Sequence, residues 1–253
     1  MNQSFPTLLD RPGTGNVIGA LFYDVLALFS LPFLLLLFLQ GSFNNGKAVA
    51  GVELFYHLVN CIIAVCIFRE YLVDTFDDIR DGFKGLMHTA SFSAALILLL
   101  ALVLHALFGF SQGNLQLTAY GALPLTEVDL FILPCDVVAI YPILGTLCMV
   151  FLAPLAISCL YYGAVFAPIC YTRPVLAYLV MAVFLAFPRY CNAATYWDPA
   201  SQWTLYFTQL PVHLIACWSY QKADSIWAPV LTHMIVNLVS CVLILLTWVL
   251  PAL

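Results

Sequence analysis

Charge is what this chain has least of. Only 8% of its 253 residues are Asp, Glu, Lys or Arg, whereas 64% are hydrophobic and the mean hydropathy is +1.00. Soluble domains carry about a quarter charged residues and cannot hide this much apolar surface. A water-soluble fold is therefore excluded, and the lipid bilayer is the expected solvent and partner for most of the chain. The eight Lys and Arg are scattered without a basic stripe and the net charge is −5, which argues against a nucleic-acid partner. Metal-ligand spacings are missing as well. There is no HExxH, no CxxC and no Cys/His cluster, so no metal and no other cofactor is expected. Nine cysteines are present, but eight fall within or at the ends of apolar runs and read as small buried hydrophobes. Cys135 is the one clearly in a loop, and an odd total does not make a complete set of disulfides. Neither an internal repeat nor a low-complexity linker interrupts the chain, so residues 1–253 read as one integral membrane domain. No cleavable signal sequence is evident. The first apolar run starts at Val17, is too long for a signal core and has no small-residue cleavage site behind it, so a permanent span is expected there.

A helical span needs about 20 apolar residues. Clear candidates are residues 17–40, 49–68, 90–110 and 226–250. Residues 137–170 are too long for one perpendicular helix and must tilt, or break near Pro142 or Pro154. Residues 174–187 and 203–220 are shorter and need neighbouring protein over their ends. The expected fold is thus all-α, a polytopic membrane helix bundle of about seven to eight transmembrane helices. With seven spans and the amino terminus inside, the inner segments hold Arg11, Arg69, Arg80, Lys84, Arg173 and Lys222, the outer ones only Lys47 and Arg189. That asymmetry favours a cytoplasmic amino terminus in the cell membrane. Residues 69–89 set Tyr71, Leu72, Phe76, Ile79 and Phe83 at near-helical spacing among charges, which predicts an amphipathic helix on the inner surface. Residues 111–136 carry turn signals and three acids but no base, which suits an outer loop.

An ionisable side chain inside a span costs roughly 2.5–3.5 kcal/mol on insertion scales, so the few present invite a functional reading. They are Asp24, Glu53, His57, His105, His213 and His233, joined by the amides Asn60 and Asn237. Glu53 and His57 are four apart and form either an acid–base pair or an interhelical clamp near the interface. Asp24 and His105 stand alone, which favours a structural role. His213 follows Pro211 and is placed to bond a carbonyl that the proline frees. His233 and Asn237 share one helix face, and taken alone they read as glue between helices.

Their surroundings suggest more. The stretch SIWAPVLTHMIVN, residues 225–237, resembles the last motif of the CPBP family, the CAAX-protease and bacteriocin-processing intramembrane peptidases. The similarity lies in a turn, a Pro-containing helix start (Pro229) and a histidine four before an asparagine. Upstream, APLAISCLYYGAVFAPI, residues 153–169, resembles the family's first motif, with Pro154, Tyr161 and Gly163 in register. FPRYC, residues 187–191, sits where the family has a phenylalanine four before a histidine. The resemblance spans residues 138–250. It implies a CPBP-type fold and a site in which a glutamate activates water while histidine and asparagine position it and stabilise the oxyanion.

Several chemical positions depart from that pattern. The glutamate pair falls on Ile157 and Ser158, the arginine on Tyr162 and the middle histidine on Cys191. Loss of a general base costs on the order of 10²–10⁴ in rate. The resemblance therefore implies a catalytically impaired pseudoprotease, with His233 and Asn237 as the remnant of the site. Such a protein would bind a membrane-tethered peptide, a lipid-like ligand or a partner transmembrane helix, and the family's distribution implies a bacterial origin. Two alternatives stand beside it: an active CAAX-type endopeptidase with Glu53 as a relocated acid, and a small transporter or channel component. Nucleophilic use of Ser158 or Cys191 needs an adjacent base, which His233 supplies only if the helices meet. A thiol in an apolar site is also a poor nucleophile.

Overall fold

In a lipid solvent every backbone N–H and C=O must find its partner inside the protein, so long apolar runs of this chain have to be helical. The computed structural model describes residues 12–24, 46–104, 137–138, 140–196 and 199–246, with the backbone alone at Glu53 and over residues 187–196 and 199–205, among others. His105, Arg11, the loop at 111–136 with Cys135, and most of the first apolar run lie outside the described residues. No strand occurs among those described. The helices are α1 (residues 14–24), α2 (Gly46–Asp74), α3 (Phe76–Leu104), α4 (Pro142–Cys170), α5 (Pro174–Tyr196), α6 (Pro199–Ala223) and α7 (Trp227–Ile244). Proline opens α4, α5 and α6, and Pro229 lies in the first turn of α7. There its fixed φ suits the helix, and the N–H it lacks has no intrahelical partner anyway.

The segment at 137–170 does break near Pro142. Residues 137, 138 and 140 are helical, Tyr141 leaves helical geometry at φ −127° and ψ 72°, and α4 then runs without interruption past Pro154. The bend folds the preceding turn against Gly145, where a Cβ would stand 2.7 Å from the Val137 carbonyl oxygen. Among the described residues, three helical stretches are long and apolar enough to cross a membrane, Leu54–Asp74, Gly82–Val103 and Pro142–Cys170. Pro174–Ala186 and Trp227–Leu243 are shorter apolar helices. Many large side chains of the bundle face outward, and alanines recur among the buried ones beside a few aromatic rings such as Phe68, Tyr162 and Tyr220. Phe55, Leu58 and Ile62 on α2, and Phe92, Leu99 and Leu102 on α3, are exposed, whereas Ala64, Ala156, Ala164, Ala167, Ala177 and Ala216 are buried. Small residues let helices approach closely where lipid removes any hydrophobic gain from association. By these features the protein is an all-α membrane helix bundle.

The expected surface helix at 69–89 is not a separate element. Its first residues end α2, its remainder begins α3, and the two helices meet at the single turn residue Thr75. The charges there belong to two helix ends emerging from the apolar layer, a pattern that amphipathic spacing imitates. The Thr75 hydroxyl donates to the Tyr71 carbonyl at 2.8 Å and accepts the Trp227 indole N–H at 3.2 Å, which ties this corner to the start of α7. Nearby, the Tyr71 and Tyr220 hydroxyls are 3.2 Å apart, and Tyr171 donates to the Asp224 carboxylate at 2.6 Å. Burial, and then that carboxylate, push the Tyr171 hydroxyl well above its usual range, so it stays protonated and keeps donating. Asp224 turns α6 into α7 at φ 52°, a left-handed conformation that Asp tolerates better than most residues. The α2–α3, α4–α5 and α6–α7 turns thus lie together at one end of the bundle.

Candidate functional site

α7 packs on α3, α4 and α6, and α4 is the unusual member of that group. It contains two stretches of π-type turns, Cys148–Leu152 and Ser158–Phe166. Each ends just ahead of a proline. In the first, the Ala153 N–H bonds the Cys148 carbonyl, and in the second the Ala167 N–H bonds the Tyr162 carbonyl. The next position in each i→i+5 series is Pro154 or Pro168, which has no N–H to give. Lengthening each hydrogen-bonded loop by one residue also eases the clash between a proline ring and the carbonyl four residues back. Met149 is the residue whose i+5 partner is Pro154, so its carbonyl loses its intrahelical donor. Asn237 supplies one from α7, donating Nδ2 to the Met149 oxygen at 2.7 Å. This is how membrane helices tolerate an internal proline, with a neighbouring side chain meeting the freed carbonyl.

One turn before Asn237, His233 meets the second π stretch. The Tyr162 hydroxyl lies 2.9 Å from His233 Nε2 and 2.7 Å from His213 Nδ1 on α6. The Tyr162 ring lies nearly parallel to the His233 ring, at 12° and 5.8 Å between centroids. All three side chains are buried, with 0%, 2% and 6% of their surface exposed for Tyr162, His213 and His233. A phenol carries a single hydrogen. Hence Tyr162 donates to one imidazole, and the other ring donates its own N–H to the phenol oxygen. Three helices separated by 51 and 71 residues in sequence are pinned at one oxygen.

The other residues singled out in the sequence fall as follows. Ile157 and Ser158 are buried on α4, and the Ser158 hydroxyl has no hydrogen-bond partner among the described residues; the Asn237 Oδ1 has none either. Cys191 lies on α5 and Glu53 on α2, and their side chains lie outside the described residues. His57 is buried on α2 edge-on to the Tyr56 ring, while Asn60 accepts a hydrogen bond from Tyr23 of α1. No group of three or more His, Cys, Asp and Glu among the described residues is placed to hold a metal ion. Sequence reasoning missed Tyr162 and His213 as a pair. Tyr162 read only as a departure from the arginine of the family pattern, and His213 as a partner for a carbonyl that Pro211 frees, whereas its Nδ1 meets the Tyr162 hydroxyl. Nothing local to either one announces a meeting at His233.

No curated protein and no solved structure matches the chain at a significant level. A family model does match residues 137–239, that of the Rce1-like type II CAAX prenyl endopeptidases. The matched segment contains the whole constellation just described: Met149, Ile157, Ser158, Tyr162, His213, His233 and Asn237. Over that region the chain is similar to the Rce1-like type II CAAX prenyl endopeptidases.

Proposed function

We propose that the protein is a CPBP-type membrane protein with little or no peptidase activity, which holds a membrane-tethered peptide, a lipid-like ligand or a partner helix. The observation that carries this reading is the engagement of the last motif within the protein itself. His233 Nε2 is taken up by the Tyr162 hydroxyl and Asn237 Nδ2 by the Met149 carbonyl. A water nucleophile and an oxyanion need those donors and acceptors available, preorganised toward the reacting atoms. The positions of the family's paired glutamates hold Ile157 and Ser158, so the base is replaced as well. A missing base alone lowers the rate by a factor on the order of 10²–10⁴.

The test is cleavage of prenylated and membrane-tethered peptides by the purified protein in detergent, with product read by mass spectrometry. Product no greater than in a protein-free blank is the expected result. Cleavage that vanishes in His233→Ala would overturn the reading. If it also vanishes in Glu53→Gln, the active peptidase with a relocated acid takes its place.

A further inference from the structure

The Tyr162, His213 and His233 side chains form a cluster whose geometry the peptidase pattern does not require. We infer that it is a binding site for a divalent transition-metal ion, held by His213 Nδ1, His233 Nε2 and the Tyr162 oxygen. Both imidazole nitrogens aim at one phenol oxygen, at 2.7 and 2.9 Å. Three donor atoms thus converge within hydrogen-bond distance of one point, as ligands of one ion must. Donors around a tetrahedral ion at about 2.1 Å stand roughly 3.4 Å apart, so these contacts must open by roughly 0.5–0.7 Å, within the reach of small side-chain rotations.

The donor set suits a particular class of ion. Two imidazoles and a phenolate favour Cu²⁺ or Zn²⁺ over Mg²⁺ or Ca²⁺, which want carboxylate, carbonyl and water oxygens. Binding forms the metal–phenolate and two metal–imidazole bonds, breaks the Tyr162 O–H, whose proton passes to solvent, and shifts the proton of the donating imidazole nitrogen to the other nitrogen of its ring; no electron moves. The fourth position is left for a water. The same face of α7 offers such a water an acceptor, Asn237 Oδ1, which is buried and unpartnered among the described residues. The nearer end of the bundle is the one with the α6–α7 turn. His233 is six residues into α7, about 9 Å from its start at a rise of 1.5 Å per residue. The ion would clasp α4, α6 and α7, and this inference stands whether or not any peptide is cleaved.

Purified full-length protein is to be stripped with chelator, dialysed against Cu²⁺ or Zn²⁺, freed of excess and assayed for bound metal by mass spectrometry. About one equivalent per chain is expected for a closed three-ligand site. The Cu²⁺ form should show a visible phenolate-to-copper charge-transfer band. Tyr162→Phe, which keeps the ring in place, should abolish the band, and His233→Gln should reduce retained metal at least tenfold. Native protein that retains no metal overturns the inference. So does metal retained equally by native protein, Tyr162→Phe and His233→Gln, because the ion would then lie elsewhere. Size-exclusion profiles and melting curves confirm that each variant is folded, and Tyr162→Phe alone decides the point if His233→Gln is not.

Discussion

A buried asparagine has two N–H groups and a carbonyl to place, and Asn237 directs its amide at a backbone oxygen that proline chemistry left unpaired. Removing it strands the Met149 carbonyl in an apolar interior, which costs about 1–3 kcal/mol. Asn237→Ala should therefore lower stability by that amount in a denaturant titration of the detergent-solubilised protein. Pro154→Ala restores an N–H at the residue that Met149 lacks as partner, so the penalty for Asn237→Ala should shrink in that background. A coupling of about 1 kcal/mol in the double-mutant cycle is the expected result, and strictly additive effects would remove the carbonyl from the explanation. Gly145 offers a contrast. Its Cβ would press on backbone, 2.7 Å from the Val137 oxygen, whereas a Cβ at Gly163 meets the edge of the Phe68 ring at 3.1 Å. Gly145→Ala should cost about 1–3 kcal/mol by overpacking, and Gly163→Ala clearly less because a ring can tilt, both read in the same titration. At this scale the sequence discloses that His233 and Asn237 share a face, since four-residue spacing is a local fact. It does not disclose that the Asn237 partner is a carbonyl 88 residues away, because that bond depends on where α4 widens.

α4 and the Thr75 corner show what periodicity does and does not carry. Pro154 is plain in the sequence as a possible break. A helix that runs through it, and through Pro168, by adopting π-type turns is not, because the continuation depends on help from another helix. The corner misleads in the opposite direction. Charges from 69 to 84 with aromatic residues between them imitate an amphipathic surface helix, yet they are the ends of α2 and α3 with one residue between. Tyr162, in the second π stretch of α4, tests the link between α4, α6 and α7 most directly. Tyr162→Phe removes both contacts at 2.7 and 2.9 Å while keeping the ring, and should cost about 1–3 kcal/mol for the buried polar atoms left unmet. Nitrogen NMR of labelled histidine supplies the second readout. The His213 and His233 resonances should both shift in the variant, since each ring loses its partner at once. A shift at one ring alone would mean that the phenol does not bridge them.

The whole bundle places its cations unequally. Arg69, Arg80, Lys84, Arg173 and Lys222 all flank the α2–α3, α4–α5 and α6–α7 turns, at the end where Trp227 meets Thr75 and Tyr171 meets Asp224. Lys47 stands at the opposite end, at the start of α2. The membrane class was legible in composition because scarcity of charge needs no geometry to interpret. The family region was legible because its motifs keep their order along the chain. Sidedness is a prediction from the positive-inside rule, which expects the end with the excess of Lys and Arg to face the cytoplasm. Acidic residues crowd the same end, Glu70, Asp74 and Asp224 among them, but carboxylates contribute little to orientation, so the rule still applies. The chain has only three lysines, at 47, 84 and 222, which makes the test direct. A membrane-impermeant amine reagent applied to intact cells should modify Lys47 and spare Lys84 and Lys222, while permeabilised cells should yield all three, read by peptide mass spectrometry. Modification of Lys222 in intact cells would invert the bundle. The Tyr162–His213–His233 cluster would then lie nearer the outer face, because the α6–α7 turn is the end nearest to it.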